Sequence, residues 1–184
     1  MFIKPSYAIE QGWITAPNCN ILEDWERKKL VSPNAIDFTV DTIHNMVRAP
    51  SKEVWIGEGK KVMREVSLYE PEEINQYNGW YLETGRCYDA MSDIYVKVPE
   101  GVAALLYTRS TFVRNGTFIM SGLYDSGFTG HIGYVIFNMG GQMFVEQGTR
   151  IGQIAFVHSE NAGLYAGGYN HAAGTHYTEI NDGD

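Results

Sequence analysis

Four short stretches of the chain combine charged or hydroxyl-bearing residues with small or aromatic ones. In chain order they read AIDF (35–38), RST (109–111), GLYDSGFTG (122–130) and GTRIGQ (148–153). Arginine forks, hydroxyls and backbone amides bind phosphate oxygens, and a carboxylate beside them can take a proton from water. Read together, the stretches indicate a site for a phosphorylated ligand with a carboxylate available as a general base.

Asp125, in the third stretch, lies where the local pattern is otherwise strand-like. Residues 131–138 (HIGYVIFN) are rich in β-branched and aromatic residues, whereas Asp and Gly are poor strand residues. Taken alone, a turn aspartate that caps its own backbone is the more common explanation for such a residue. The remaining stretches must decide between a turn residue and a catalytic carboxylate.

The RST stretch predicts a phosphate cradle at the start of a short helix. Arg109 supplies a guanidinium fork, Ser110 and Thr111 supply hydroxyls, and the first amides of a helix point away from it. Arg114 adds a second guanidinium at helical spacing. A surface turn with two solvated arginines explains the same residues equally well when no other stretch is considered.

Composition limits the class of protein. A chain of 184 residues with 12 Tyr, 8 Phe and 20 Gly fits one domain built from strands and tight turns. The net charge of −8 argues against a general nucleic-acid or membrane-surface binder, although a local arginine cluster can still hold a small anion. Cys19 and Cys87 form no CxxC motif, and no signal peptide or membrane-spanning run is present, which predicts a cytoplasmic protein.

Short strands must position the four stretches. An N-terminal extension (1–34) contains a predicted helix at 20–31, a β core is expected over 35–157, and a Gly-rich flexible tail or lid is expected over 158–184 of the single domain 1–184. The expected strands are AIDFTV, KEVWIG, GWYLE, DIYVKV, VAALLYT, TFIM, HIGYVIFN, QMFVEQ and RIGQIAFV. Many short strands with few helices predict a mainly β fold, a distorted jelly roll or β-barrel.

The order and spacing of the four stretches resemble the trimeric dUTPase and dCTP deaminase superfamily. Its motifs are A-x-D-[FL], R-S-[ST], G-[VLI]-I-D-x-x-[YFW]-x-G and G-x-R-[IL]-[AG]-Q, and the similarity covers about residues 31–157. One motif alone is a weak signal, whereas four in order are a strong one. The resemblance implies a dUTPase-like β-clip domain and a homotrimer with sites between subunits; the negative charge given above already predicts no nucleic-acid or membrane partner.

The resemblance also implies a role for each site residue. Asp125 would activate water for attack on the α-phosphorus of a deoxynucleoside triphosphate, and Phe128 would pack under the deoxyribose. Asp37 would position the Mg²⁺ cofactor through water, and Arg150 would support the site. The residues implied to bind substrate are Arg109, Ser110, Thr111, Arg114, Phe128, Gln153, Tyr169, His171 and Thr175, although solvated tail histidines explain His171 as well.

Val135 separates the two activities of the superfamily. Deaminases carry a proton-shuttling Glu ten residues after the aspartate, and here that position is Val135, with no Asp or Glu over 126–142. This favours dUTP hydrolysis to dUMP and pyrophosphate over dCTP deamination. Arg114 and the sequence GHIG resemble the deaminase branch, so a dCTP pyrophosphatase is the main alternative. A nucleotide-gated binding protein on the same fold is a further one.

Overall fold

The computed structural model describes residues 1–16, 29–46, 54–57, 60–62, 65–160, 163–167 and 170. Strands dominate these residues. The elements are α1 (Pro5–Glu10), β1 (Ile14–Thr15), β2 (Ile36–Met46), β3 (Trp55–Gly57), β4 (Lys60–Val62), β5 (Val66–Leu68), β6 (Glu72–Ile74), β7 (Tyr77–Leu82), β8 (Arg86–Lys97), β9 (Val102–Thr108), α2 (Ser110–Arg114), β10 (Thr117–Met120), β11 (Thr129–Asn138), β12 (Met143–Glu146) and β13 (Arg150–His158).

The main sheet is an almost closed barrel. Its strands follow the order β10-β11-β8-β2-β13-β9, with β1 paired to β8 and β5 paired to β2. The two end strands approach each other, since the Thr108 Oγ1 accepts the Ile119 amide at 2.9 Å and Ala104 forms a β-bridge with Tyr124. A mainly β, barrel-like fold is therefore confirmed. A smaller sheet, β12-β7-β6, and the hairpin β3-β4 complete the described strands.

Alternation along the strands creates the barrel core. Buried and partly exposed residues follow one another at every position of β11, because successive side chains in a strand point to opposite faces. The inward set includes Ile132, Ile136 and Tyr134, whose ring lies 5.4 Å from that of Phe38 on β2. This packing holds β11 and β2 at a fixed distance, and these two strands lead into the two ends of the site described below.

The N-terminal section lies against β13. Helix α1 begins at Pro5, a position where proline costs no helical hydrogen bond, and it buries Ala8 and Ile9. The Ile3 amide donates to the Phe156 carbonyl at 2.8 Å. The sequence pattern gave no indication of α1, and the helix predicted at 20–31 falls mostly on residues 17–28, which lie outside the described residues.

Each of the nine predicted β runs overlaps a described strand. The structure extends the run beginning at Ala35 to Met46 and joins the RCYDAMS segment to DIYVKV as the single strand β8. The short helix expected after Arg109 is α2. Across the described ranges, no helix has the length and apolar character needed to span a membrane.

Candidate functional site

At one end of the candidate site, a buried carboxylate contacts two arginine side chains and one side-chain amide. Asp37 is 2% exposed. Its Oδ2 lies 3.3 Å from the Nε of Arg109 and 3.2 Å from the Nη1 of Arg150, and its Oδ1 accepts a hydrogen bond from the Nε2 of Gln153 at 2.7 Å. We call these four residues the arginine cluster. The structure therefore brings together residues from three of the four sequence motifs: one from AIDF, one from RST and two from GTRIGQ.

Strand register builds the arginine cluster. Asp37 and Gln153 are directly opposed on β2 and β13, and opposed residues in an antiparallel pair share one face of the sheet. Gly152 permits this close pairing, because a Cβ there would overlap the Phe38 ring. The Arg109 amide donates to the Ile151 carbonyl at 3.1 Å, which brings the end of β9 to the same place.

The guanidinium groups remain partly exposed although the carboxylate is buried. The side chains of Arg109 and Arg150 are 29% and 36% exposed. Arg109 immediately precedes α2, whose first residues Ser110 and Thr111 are exposed, and Arg114 is exposed at the last position of that helix. This surface offers cationic and hydroxyl groups to an anion approaching from outside the chain.

Asp125 lies at the second end of the site, in a tight turn between β10 and β11. The Phe128 amide donates to the Asp125 carbonyl at 3.0 Å, and Gly127 adopts a φ of +89°, as the third residue of a type II turn does. Gly127 and Phe128 also form backbone hydrogen bonds with Val98, both at 2.8 Å. The Asp125 side chain is exposed at the surface.

A half-open pocket of about 370 Å³ surrounds Asp125. We call it the turn pocket. Its walls come from the turn, from the residues that follow β13, and from the tail segment 163–167. The lining residues are Ala103, Asp125, Ser126, Ser159, Glu160, Gly163, Leu164 and Tyr165. Among these described residues there is neither lysine nor arginine, and two carry carboxylates.

A tail or lid over the site was expected for 158–184, but the tail residues that line this pocket were not identified from the sequence. Tyr165 and Glu160 were missed because neither lies in one of the four motifs. An aromatic residue within the Gly-rich stretch AGLYAGG was the one available signal for Tyr165. Tyr169, His171 and Thr175, which were predicted to bind substrate, lie outside the described residues, so their predicted roles remain predictions.

Phe128 is buried and does not line the turn pocket. Its ring is 6% exposed and lies between Tyr124, at 4.9 Å, and Tyr165, at 6.0 Å between ring centres. The Tyr124 hydroxyl donates to the Gly133 carbonyl at 2.6 Å and so ties the turn to β11. Tyr165 is the aromatic residue among those that line the pocket.

The two ends of the site lie far apart in one chain. Asp125 follows Tyr124, which pairs with Ala104 in the first half of β9. Arg109 comes five positions after Ala104, and at a rise of about 3.3 Å per residue this corresponds to about 16 Å along the strand. Because Arg109 is also held by Asp37, one phosphate group cannot contact both Arg109 and Asp125 of the same chain.

Titratable side chains lie close together on the three adjacent strands β2, β8 and β11. Asp41 on β2 keeps an exposed side chain, and the part of it that packs against the sheet raises its pKa; the charge of Asp93 on β8 raises it further, and His131 on β11 opposes the increase. Burial raises the pKa of the Tyr134 hydroxyl well above its usual value, with Asp93 as the next largest cause. These groups lie next to the strand irregularity between His131 and Gly133.

The residues around Asp37 can be compared with what direct binding of the predicted Mg²⁺ ion would require. In the described part of the chain, no three His, Cys, Asp or Glu side chains are grouped to hold a metal ion. Asp37 already accepts from Arg109, Arg150 and Gln153. This set does not fit an ion coordinated directly by Asp37, and a contact through water stays a prediction.

Comparison with known proteins gives matches over most of the chain. Residues 16–159 match the family described as dCTP deaminase-like. The chain is 30% identical over 143 residues to a probable deoxyuridine 5'-triphosphate nucleotidohydrolase of Methanothermobacter thermautotrophicus, covering 77% of this chain and 89% of that protein. It is 36% identical over 76 residues to a dCTP deaminase of Pyrobaculum islandicum, covering 41% of this chain and 43% of that protein.

A solved structure supports the same fold. The 2'-deoxycytidine 5'-triphosphate deaminase from Agrobacterium tumefaciens superposes with a TM-score of 0.61 at 17% identity, over 86% of this chain and 48% of that one. The chain thus spans about half of that structure and nearly all of the Methanothermobacter relative. Since the family match extends over well more than half of the residues, the chain belongs to the dCTP deaminase-like family.

Proposed function

We propose that this protein hydrolyses dUTP to dUMP and pyrophosphate. The observation that carries the proposal is the division of the site into an exposed carboxylate, Asp125, and a preassembled arginine cluster around Asp37. A base for water and a cationic surface for phosphates are the two parts that hydrolysis of a triphosphate requires. The relative from Methanothermobacter, named a probable deoxyuridine 5'-triphosphate nucleotidohydrolase, supports the choice of reaction.

A complete site then requires two subunits of a homotrimer. The turn pocket has two carboxylates and, among its described lining residues, no cation, which supports a source of positive charge outside this pocket. Arg109 and its cluster in a neighbouring subunit would supply it. Exposed apolar side chains around β9 and β10 offer a surface for that contact; they are Tyr107, Val113, Phe118, Met120 and Leu123.

In the proposed reaction, the Asp125 carboxylate takes a proton from water. The water oxygen forms a bond to the α-phosphorus, the bond from that phosphorus to the bridging oxygen breaks, and pyrophosphate leaves with the electron pair. Arg109 and Gln153, with the hydroxyls of Ser110 and Thr111, hold the phosphate oxygens, and Asp37 fixes the orientation of Arg109 and Gln153. Magnesium is the expected cofactor and would neutralise charge on the triphosphate.

Product identification tests the proposal. Purified protein is incubated separately with dUTP, dCTP and dTTP in the presence of Mg²⁺, and every nucleotide formed is identified by chromatography. We expect dUMP and pyrophosphate from dUTP. Formation of dCMP from dCTP alone would keep the mechanism and change the base. Absence of turnover with all three would favour a nucleotide-binding protein without catalysis.

One observation keeps deamination of dCTP as a second candidate. Val135 has no proton to transfer, but its opposed residue on β8 is Asp89, a buried carboxylate with interactions of its own. A carboxylate beside the position of the family's Glu could take over proton transfer. In that case dUTP or dUMP would form from dCTP, and Asp89→Asn would abolish that product while hydrolysis of dUTP continued.

A further inference from the structure

We infer that Thr108 is a positioning residue for phosphate binding, because its hydroxyl closes the barrel directly beside Arg109. The inference rests on the proposed function, in that it takes Arg109 as a ligand of the substrate's phosphates. Thr108 is the last residue of β9 and immediately precedes Arg109. It lies outside the four sequence motifs, so the motif pattern assigns it no role.

The barrel is closed between β9 and β10 by two separate contacts. These strands are the two ends of the main sheet, and no backbone ladder joins them among the described residues. We call the gap between them the seam. Ala104 and Tyr124 exchange two backbone hydrogen bonds across it, at 2.9 and 3.2 Å. The second contact joins the Thr108 hydroxyl to Ile119 on β10.

The Thr108 hydroxyl takes the place of a strand partner for Ile119. It accepts the Ile119 amide at 2.9 Å and donates to the Ile119 carbonyl at 3.3 Å, so one side chain bonds both backbone groups of that residue. Ile119 is 7% exposed, and a buried backbone group that loses its partner destabilises the fold locally. A side chain without a hydroxyl at position 108 therefore releases β10 from β9 at this point of the seam.

Strand β13 holds the same part of β9 from the other side. Thr108 is directly opposed to Gly152 on β13. A Cβ at Gly152 would overlap the Cδ1 of Ile119, so that glycine also lets the Ile119 side chain pack beneath this pair. The Arg109 amide donates to the Ile151 carbonyl at 3.1 Å. The end of β9 is thus fixed between β13 and β10, and loss of the Thr108 hydroxyl removes one of these two supports.

The orientation of the Arg109 guanidinium depends on this backbone position. Its Nε lies 3.3 Å from the Asp37 Oδ2, and the side chain is 29% exposed. A long side chain keeps one orientation when its backbone and its counter-charge are both fixed, because ordering its rotatable bonds costs entropy. A displaced β9 end therefore weakens phosphate binding. Asp125 follows Tyr124, which has its own contact across the seam, so the turn pocket keeps its place.

Thr108→Val removes the hydroxyl and keeps the shape of the side chain. We expect KM for dUTP to rise about 10-fold while kcat stays within about threefold of the parent, because the variant loses binding that the ground state and the transition state share. Thr108→Ser keeps a hydroxyl and should hold KM within about twofold of the parent. Thr108→Cys has a weaker donor and acceptor and should lie between the two, so the Ser and Cys variants carry the test if Thr108→Val does not fold.

Thr117→Val is the matched control on β10. The Thr117 hydroxyl is buried and donates to the Asn138 Oδ1 at 2.9 Å, so this variant loses a buried hydrogen bond from the same strand without touching the seam. We expect a lower midpoint of urea unfolding and an unchanged KM for dUTP. The inference is overturned by a KM for Thr108→Val within about twofold of the parent, or by an equal rise in KM for Thr117→Val.

A measurement without substrate separates this inference from the proposed function. NMR spectra of protein labelled with ¹⁵N-arginine record the Nε–H proton of each arginine, and Arg109→Lys identifies the Arg109 signal by its loss. In Thr108→Val that proton should exchange with water faster than in the parent, and in Thr108→Ser it should not. If the parent hydrolyses no nucleotide but this difference is seen, the proposed reaction fails and the positioning of Arg109 stands. If the parent hydrolyses dUTP and neither the signal nor KM responds to Thr108→Val, the positioning alone fails.

Discussion

The arginine cluster and the turn pocket are built by opposite means. In the arginine cluster, three neighbouring strands direct their polar side chains at Asp37, which is buried and paired on both oxygens. In the turn pocket, Asp125 is exposed and its surroundings come from a turn and from a tail segment distant in sequence. The first is organised before any ligand arrives, whereas the second presents an unengaged acidic surface. In the proposed homotrimer, a chain of this kind supplies halves of two different sites.

The largest expected effect is at Asp125. Asp125→Asn removes the base from the turn pocket and leaves the arginine cluster intact, so kcat should fall by about 100- to 10,000-fold while nucleotide binding persists. Single-turnover assays with dUTP, together with calorimetric binding of α,β-imido-dUTP, measure the two quantities. Equal losses of turnover and of affinity would mean that Asp125 binds substrate and does not act on water.

Asp37→Asn should damage the arginine cluster and spare the turn pocket. The neutral side chain leaves Arg109 and Arg150 without their shared counter-charge, and charge-assisted hydrogen bonds of this kind contribute about 1.5–3 kcal/mol each to stability. We expect KM for dUTP to rise about 10-fold or more with a smaller change in kcat, and the urea midpoint to fall. Asp37→Glu, which keeps the charge, serves as the comparison. An unchanged KM for Asp37→Asn would show that Asp37 does not contribute to phosphate binding.

Arg114→Ala should have a weaker effect on the same end. Arg114 is exposed at the end of α2, and exposed charge pairs contribute at most about 1 kcal/mol. KM for dUTP should therefore rise by up to about fivefold, with no change in the midpoint of urea unfolding. A larger rise would show that Arg114 is buried against the phosphates in the complex, and no rise would remove it from the site.

The smallest expected effect concerns the titratable side chains on strands β2, β8 and β11. Burial and the charge of Asp93 raise the pKa of Asp41 above its usual value of 3.8, so the fold disfavours the charged form. Stability associated with protonated Asp41 is present at pH below 3.8 and is lost as pH rises through the higher folded-state pKa. Asp41→Asn should raise Tm at pH 7 by about 2 °C or less, and by nothing near pH 3. A lower Tm for Asp41→Asn at pH 7 would show that the charged form of Asp41 stabilises the fold, which contradicts this prediction.

Most of the strands could be predicted from the sequence because their signals are local. Runs such as HIGYVIFN and RIGQIAFV alternate or cluster apolar residues between turn residues, and each lies within a described strand. Helix α1 was missed because its six residues carry no side-chain cap. The RCYDAMS part of β8 was missed because its polar residues weaken the apolar alternation.

The candidate site was predictable as residue types but not as contacts. The motifs identified Asp37, Arg109, Arg150 and Gln153, yet their common meeting point depends on the register of β2, β13 and β9. The position of the tail segment beside the turn depends on a contact between Thr129 and Asn170, 41 positions apart. Such long-range pairings have no local signature in one sequence.

Mixing two inactive variants tests most directly the claim that each site combines halves from different subunits. Asp125→Asn and Arg109→Gln chains carry different tags and are expressed together, and trimers that contain both are purified and assayed with dUTP. If each site takes its arginine cluster from one subunit and its turn pocket from the next, every trimer that contains both chains has one intact site out of three and restores about a third of the parent activity. Activity no higher than that of either variant alone, in trimers shown to contain both chains, would contradict the account.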